Sequence, residues 1–144
     1  MNKNENRVLA GLFLIIMGTF LKWHEFMEYY RAYGPSGIGE VSQRVSGTVA
    51  GYDLTAGKFI FALSLILVVL VFLPKPALYH KRLLSAEFFL TSVIAGLFFI
   101  GGLIPVFTPT QNIGPGIGLA VLLAGCVITL VYIKKDLNSF NSDI

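Results

Sequence analysis

Four apolar stretches, residues 8–21, 59–73, 88–104 and 117–133, contain no Asp, Glu, Lys, Arg or His. A helix rising about 1.5 Å per residue needs about 20 mostly apolar residues to cross a hydrocarbon core of about 30 Å. Hydrocarbon leaves no water for an unpaired backbone group, so spanning segments of this kind must be helices unless they form a closed barrel, and the alternating strands of a barrel are missing. Charged residues make up 13% and apolar ones 55% of the chain, against about 25% charged in a soluble domain. That balance excludes an ordinary soluble fold, and disorder, which needs the opposite composition, is excluded with it. The expected fold class is an all-α membrane protein: one domain over 1–144, an antiparallel bundle of four transmembrane helices at about 8–30, 55–73, 86–104 and 117–133. An outer loop at 31–54, a cytoplasmic loop at 74–85, an outer loop at 105–116 and a cytoplasmic tail at 134–144 complete it.

The first stretch is short, and its flank suggests how it is extended. Lys22 can snorkel its ammonium to the headgroups, and Trp23 suits the aromatic belt, as does Tyr132 at the far end of the fourth stretch. Trp23, Phe26, Met27 and Tyr30 are spaced to share one helical face, so the helix is expected to run on to about residue 30. Tyr33-Gly34-Pro35-Ser36-Gly37-Ile38-Gly39 is a turn signal, because glycine permits positive φ and proline fixes its own. Val41, Val45 and Val49 then alternate with polar residues, a pattern that fits a short strand or hairpin in the outer loop. Asp53 or Thr55 is placed to cap the second helix, and Pro74 and Pro76 to end it.

Basic residues set the orientation. Lys3, Arg7, Lys75, Lys81, Arg82, Lys134 and Lys135 fall on one side of a four-helix threading, whereas Lys22, Arg31, Arg44 and Lys58 are spread over a long loop on the other. Both termini are therefore expected in the cytoplasm of a cell (inner) membrane protein. The net charge of +3 is a topology signal and carries no implication of nucleic-acid binding. No small-residue cleavage site follows Leu21, so the first stretch is expected to be retained rather than removed as a signal peptide.

Chemistry needs ionisable groups, and none lies deep in the four stretches. Their polar residues, Thr19, Ser64, Thr91, Ser92, Thr129 and Tyr132, can satisfy themselves on nearby carbonyls. The single cysteine, Cys126, cannot form an intrachain disulfide and reads as a buried structural thiol. No nucleotide, zinc-protease or redox motif occurs, and no catalytic, cofactor or metal residues are assigned. His24, Glu25 and Glu28 would be the ligands or catalytic groups of an outer-interface site if the first helix continued, two of them at i and i+4; a solvated face is the preferred reading. Glu87, at the start of the third helix, suits the helix dipole and could pair with Lys81 or Lys135.

Association of helices in lipid depends on small residues that let backbones approach. Gly114, Gly116, Gly118, Ala120, Ala124 and Gly125 form such a run, suited to packing within the bundle or to self-association. Ala10-Gly11-Leu12-Phe13-Leu14-Ile15 matches Ala95-Gly96-Leu97-Phe98-Phe99-Ile100 at five of six positions, a faint sign of two duplicated helical hairpins.

Gly18-Thr19-Phe20-Leu21-Lys22-Trp23, followed by Val45-Ser46-Gly47, Gly51-Tyr52-Asp53 and Gly57-Lys58, resembles small uncharacterised prokaryotic four-helix membrane proteins over the first half of the chain. The resemblance implies a cell-membrane location and no activity. The layout is also similar to claudin-type proteins, but their Gly-Leu-Trp and paired outer cysteines are absent, which argues against a junction-forming role. The expected function is a non-enzymatic scaffold or accessory subunit that contacts itself or another membrane protein. The alternative is a pore or carrier for a neutral or lipidic solute, lined by Ser64, Thr91, Ser92 and Thr129. In a Cys126→Ser background, Asn2→Cys and Ile144→Cys should both escape a membrane-impermeant maleimide in intact cells and react after permeabilisation. Labelling of one terminus alone would overturn the four-crossing topology.

Overall fold

A computed structural model describes residues 3–33, 39–74, 76, 79–108 and 112–142. The chain forms α1 (Lys3–Phe20), β1 (Lys22–Tyr33), β2 (Gly39–Ala50), a 3-10 turn (Gly51–Asp53), α2 (Thr55–Phe72), α3 (His80–Phe98), a π turn (Phe99–Leu103), α4 (Ile104–Phe107), β3 (Ile113–Pro115) and α5 (Ile117–Ser142). It is mostly helical, with one small antiparallel sheet in the order β2-β1-β3.

Three helical segments are long and apolar enough to cross a membrane: Thr55–Phe72, His80–Phe107 and Ile117–Ser139, with mean hydropathies of 2.4, 2.2 and 2.3. Helix α1 falls outside this set because Lys3, Glu5 and Arg7 occupy its first turns. In the three segments only 28, 22 and 39% of residues are buried in the protein. Their outward residues include Phe59, Ile66, Val69, Phe89, Ile100, Val127 and Val131, all exposed. A protein core therefore does not account for their hydrophobicity, and apolar surface on this scale needs an apolar surrounding.

Helix α1 packs antiparallel on α5. A Cβ on Gly11 would collide with Thr129 and the Gly125 carbonyl, and one on Gly18 with Leu122. At the far end Asn4 donates a hydrogen bond to Asp136, and the Arg7 guanidinium lies 4.8 Å from the centre of the Tyr132 ring. Helix α2 packs on α1 and α3, and α3 on α5. Leu12, Ile15, Ile60, Leu67, Ile94 and Leu122 are fully buried between them. Ser64, Thr91, Ser92 and Thr129 each donate to the carbonyl one turn back, so the hydroxyls add no polar demand to the interior.

Two expectations are corrected. Residues beyond Phe20 do not extend the helix: Lys22–Tyr33 is a strand, paired antiparallel with β2 from Lys22↔Ala50 to Tyr33↔Gly39. Its aromatic residues suit a pleated strand; of the two register shifts, one leaves Trp23 as the extra residue of β1 and the other leaves Ser46 as the extra residue of β2. Helix α2 is not capped by Asp53 or Thr55. Its N-cap is Leu54, with no side-chain cap bond, and Asp53 belongs to the 3-10 turn, which Leu54 N–H closes on the Gly51 carbonyl.

The two glycines of the apparent repeat have different surroundings: Gly11 is pressed against α5, whereas a Cβ on Gly96 would meet nothing within 4 Å. Gly11→Ala should destabilise the protein by about 1–3 kcal/mol through overpacking, and Gly96→Ala should be neutral or stabilise it by up to about 1 kcal/mol. Thermal unfolding in detergent measures both; equal effects would contradict this packing.

Candidate functional site

The sheet is fastened to the helices by Trp23. Its side chain is fully buried and its Nε1–H donates to the Gly18 carbonyl at 2.9 Å. The ring stands edge-on to Phe98 with centroids 6.2 Å apart, and its carbonyl accepts from Gly116 N–H at 2.8 Å. Gly51, Gly116 and Gly118 surround this corner, and a Cβ on any of them would overlap the indole or the backbone of residues 21–23. The expectation that Trp23 anchors at the headgroup belt is therefore corrected: three glycines let α5 and the 3-10 turn close over the ring. Lys22 is exposed and Tyr132 half-buried.

The next residue holds the π turn. Pro105 has no N–H to offer the Gly101 carbonyl one turn back and would clash with it in a regular helix. The backbone widens instead, so that Ile104 N–H reaches back to Phe99 O. The neighbouring Gly102 carbonyl lies 3.0 Å from Nε2 of His24. A carbonyl can only accept, so Nε2 carries the proton, and in the neutral ring Nδ1 is left as an acceptor. His24 is 5% exposed and is held from the other side by pairing of His24, Glu25 and Phe26 with Pro115, Gly114 and Ile113 of β3. Met27 N–H extends this contact to the Asn112 carbonyl at 2.8 Å.

Between the hairpin, the start of α2 and the π turn lies an open cleft of about 670 Å³, lined by His24, Phe26, Met27, Ser46, Leu54, Gly101, Pro105, Asn112 and Ile113. Its walls are apolar, with polar side chains from His24, Ser46 and Asn112 and no Asp, Glu, Lys or Arg among the lining residues. Ser46 sits at the bulge opposite Phe26 and Met27 and donates to the Phe26 carbonyl at 3.2 Å, leaving its oxygen able to accept. Such a site can bind and orient a ligand through shape and a few hydrogen bonds. Of this lining, sequence reasoning named Phe26 and Met27 for a helical face and Ser46 within a motif, and singled out only His24 as a chemical group. The Gly101-Gly102 pair just ahead of Pro105 was the available signal of a break in the third helix, and π turns inside helices often accompany functional sites.

The other singled-out residues are dispersed. Along a strand, His24 and Glu28 are about 13 Å apart and Glu25 points to the opposite face, so the i, i+4 ligand pair does not form. Among the described residues no three His, Cys, Asp or Glu side chains could hold one metal ion. Ser64, Thr91 and Thr129 are fully buried while Ser92 is exposed, so the four hydroxyls share no common surface. Gly114 lies in β3 ahead of the helix, against Met27, and Gly116, Gly118 and Gly125 face β1 and α1. Ala120 and Ala124 point outward, and Ala120 joins Phe98, Leu103, Ile117 and Leu123 around a second, wholly apolar groove of about 370 Å³. Glu87 is only 1% exposed, two turns into α3, and Lys81 and Lys135 are exposed.

Comparison with known proteins gives no match: no family model, no curated protein and no solved structure resembles the chain significantly. His24→Leu should remove the side-chain bond to the Gly102 carbonyl and cost about 1–3 kcal/mol, with faster amide exchange concentrated in residues 99–107. An unchanged unfolding midpoint and exchange pattern would contradict the His24 contact.

Proposed function

We propose that the protein is a multi-pass integral protein of the cell membrane with both termini cytoplasmic, and that it works by binding, as a non-enzymatic scaffold or accessory subunit. The observation that carries this reading is the combination of outward apolar helix faces with a hairpin that extends past its support. Strand β1 is 12 residues long, about 40 Å when extended, yet β3 pairs with it only at His24, Glu25 and Phe26. Beyond Met27, whose N–H reaches the Asn112 carbonyl, it pairs with β2 alone among the described residues. Tyr29 and Val45, on the two strands, are 57% and 47% exposed, large apolar groups placed for contact with another membrane protein or a second copy of the chain. The outward Ala120 and Ala124 offer a companion contact within the bilayer, where small residues allow helices to approach. A solute path is less well supported, because its four candidate lining hydroxyls bond to their own helices and do not face one another.

Photo-crosslinking residues introduced at Tyr29, Val45 and Ala124 test the proposal in intact membranes. Discrete adducts are expected from Tyr29 or Val45, surviving gentle detergent extraction and absent when the hairpin is shortened by removal of residues 30–42. A solitary monomer with no adduct from any of the three positions would overturn it.

A further inference from the structure

We propose that the cleft beneath the hairpin binds one molecule of an uncharged, hydroxyl-bearing, single-chain amphiphile, of the monoacylglycerol class. The acyl chain lies against Phe26, Leu54 and Ile113, and the head hydroxyls donate to Nδ1 of His24 and Oγ of Ser46. The inference rests on the membrane reading above in one respect, that the cleft opens at the outer ends of the helices.

Three observations select this occupant. The first is position: Leu54 is the N-cap of α2 and Pro105 lies in the last turn of the third helical segment, so a molecule seated here has its chain beside membrane helices and its head under the sheet. The second is charge. No ionic side chain lines the cleft, and an ammonium or phosphate buried without a counter-ion would lose more hydration than the site returns. The third is hydrogen-bonding sense. Nε2 of His24 is committed to the Gly102 carbonyl and the Ser46 hydroxyl proton to the Phe26 carbonyl, so the neutral imidazole and the hydroxyl oxygen have acceptor capacity left to offer. Acceptors without charges recognise a neutral hydroxyl donor. The volume of about 670 Å³ falls within the range of about 300–1,000 Å³ typical of small-ligand sites, which suits one chain with a compact head better than a two-chain phospholipid.

Native mass spectrometry of the full chain in detergent, titrated with a C16 monoacylglycerol and in parallel with phosphatidylglycerol carrying C16 chains, tests the proposal. A saturable one-to-one monoacylglycerol adduct is expected, with phosphatidylglycerol bound at least tenfold more weakly. Ser46→Phe, at an exposed bulge, and Ile113→Phe, at the opposite wall, should each weaken the adduct at least tenfold with the unfolding midpoint retained; whichever of the two retains its midpoint is the one read. No adduct, adducts that increase without saturating, preference for phosphatidylglycerol, or wild-type binding by a folded variant would overturn it. Hairpin crosslinking to a partner is a separate readout, and extraction of the chain without detergent would count against the membrane reading instead.

Discussion

Burial of the Trp23 indole is the constraint on which the sheet-bearing end of the molecule depends. The ring is large and apolar except for one N–H, and that donor is satisfied within the chain by the Gly18 carbonyl. Four segments converge on it: the end of α1, the 3-10 turn at Gly51, the start of α5 at Gly116 and Gly118, and Phe98 of α3. Side chains larger than hydrogen at the three glycines would hold these backbones away from the ring. With Trp23 fixed, β1 leaves the helices in one direction and its first residues meet β3. His24 is then delivered to the π turn.

The molecule separates two physical tasks. Along the helices the outward residues are mostly apolar, and the hydroxyls of Ser64, Thr91, Ser92 and Thr129 are spent on their own helices. At the capped end the backbone is irregular, and its irregularity follows from Pro105, which cannot donate where a regular helix would need it to. The His24 side chain, from a distant strand, bonds to the Gly102 carbonyl beside that break, and the space left beside it is the cleft.

Helical character in the three apolar segments is legible from hydropathy, because a long uncharged run has few other ways to satisfy its backbone. The end of α1 is not legible in the same way. Trp23, Phe26, Met27 and Tyr30 fit a helical face, and the strand they occupy is specified by pairing with residues 39–50, which no local window contains. Trp23 next to Lys22 reads as a headgroup anchor until Gly51, Gly116 and Gly118, far away in sequence, are seen to enclose it. The small-residue run likewise resolves into glycines that face α1 and β1 and alanines that face outward, a division set by helix rotation. Of the cleft, His24 carries a chemical signature on its own, whereas Ser46, Leu54 and Ile113 acquire a role only from where the chain brings them.

The central claim is that Trp23 is enclosed by protein at the junction of helices and sheet. As the single tryptophan in the chain, it can be tested directly by its own emission in lipid nanodiscs, read with acrylamide from the water side and with headgroup-level spin-labelled lipid from the membrane side. The account predicts blue-shifted emission that neither quencher reduces appreciably. Red-shifted emission, or strong quenching by either agent, would place the indole at the membrane surface and contradict it.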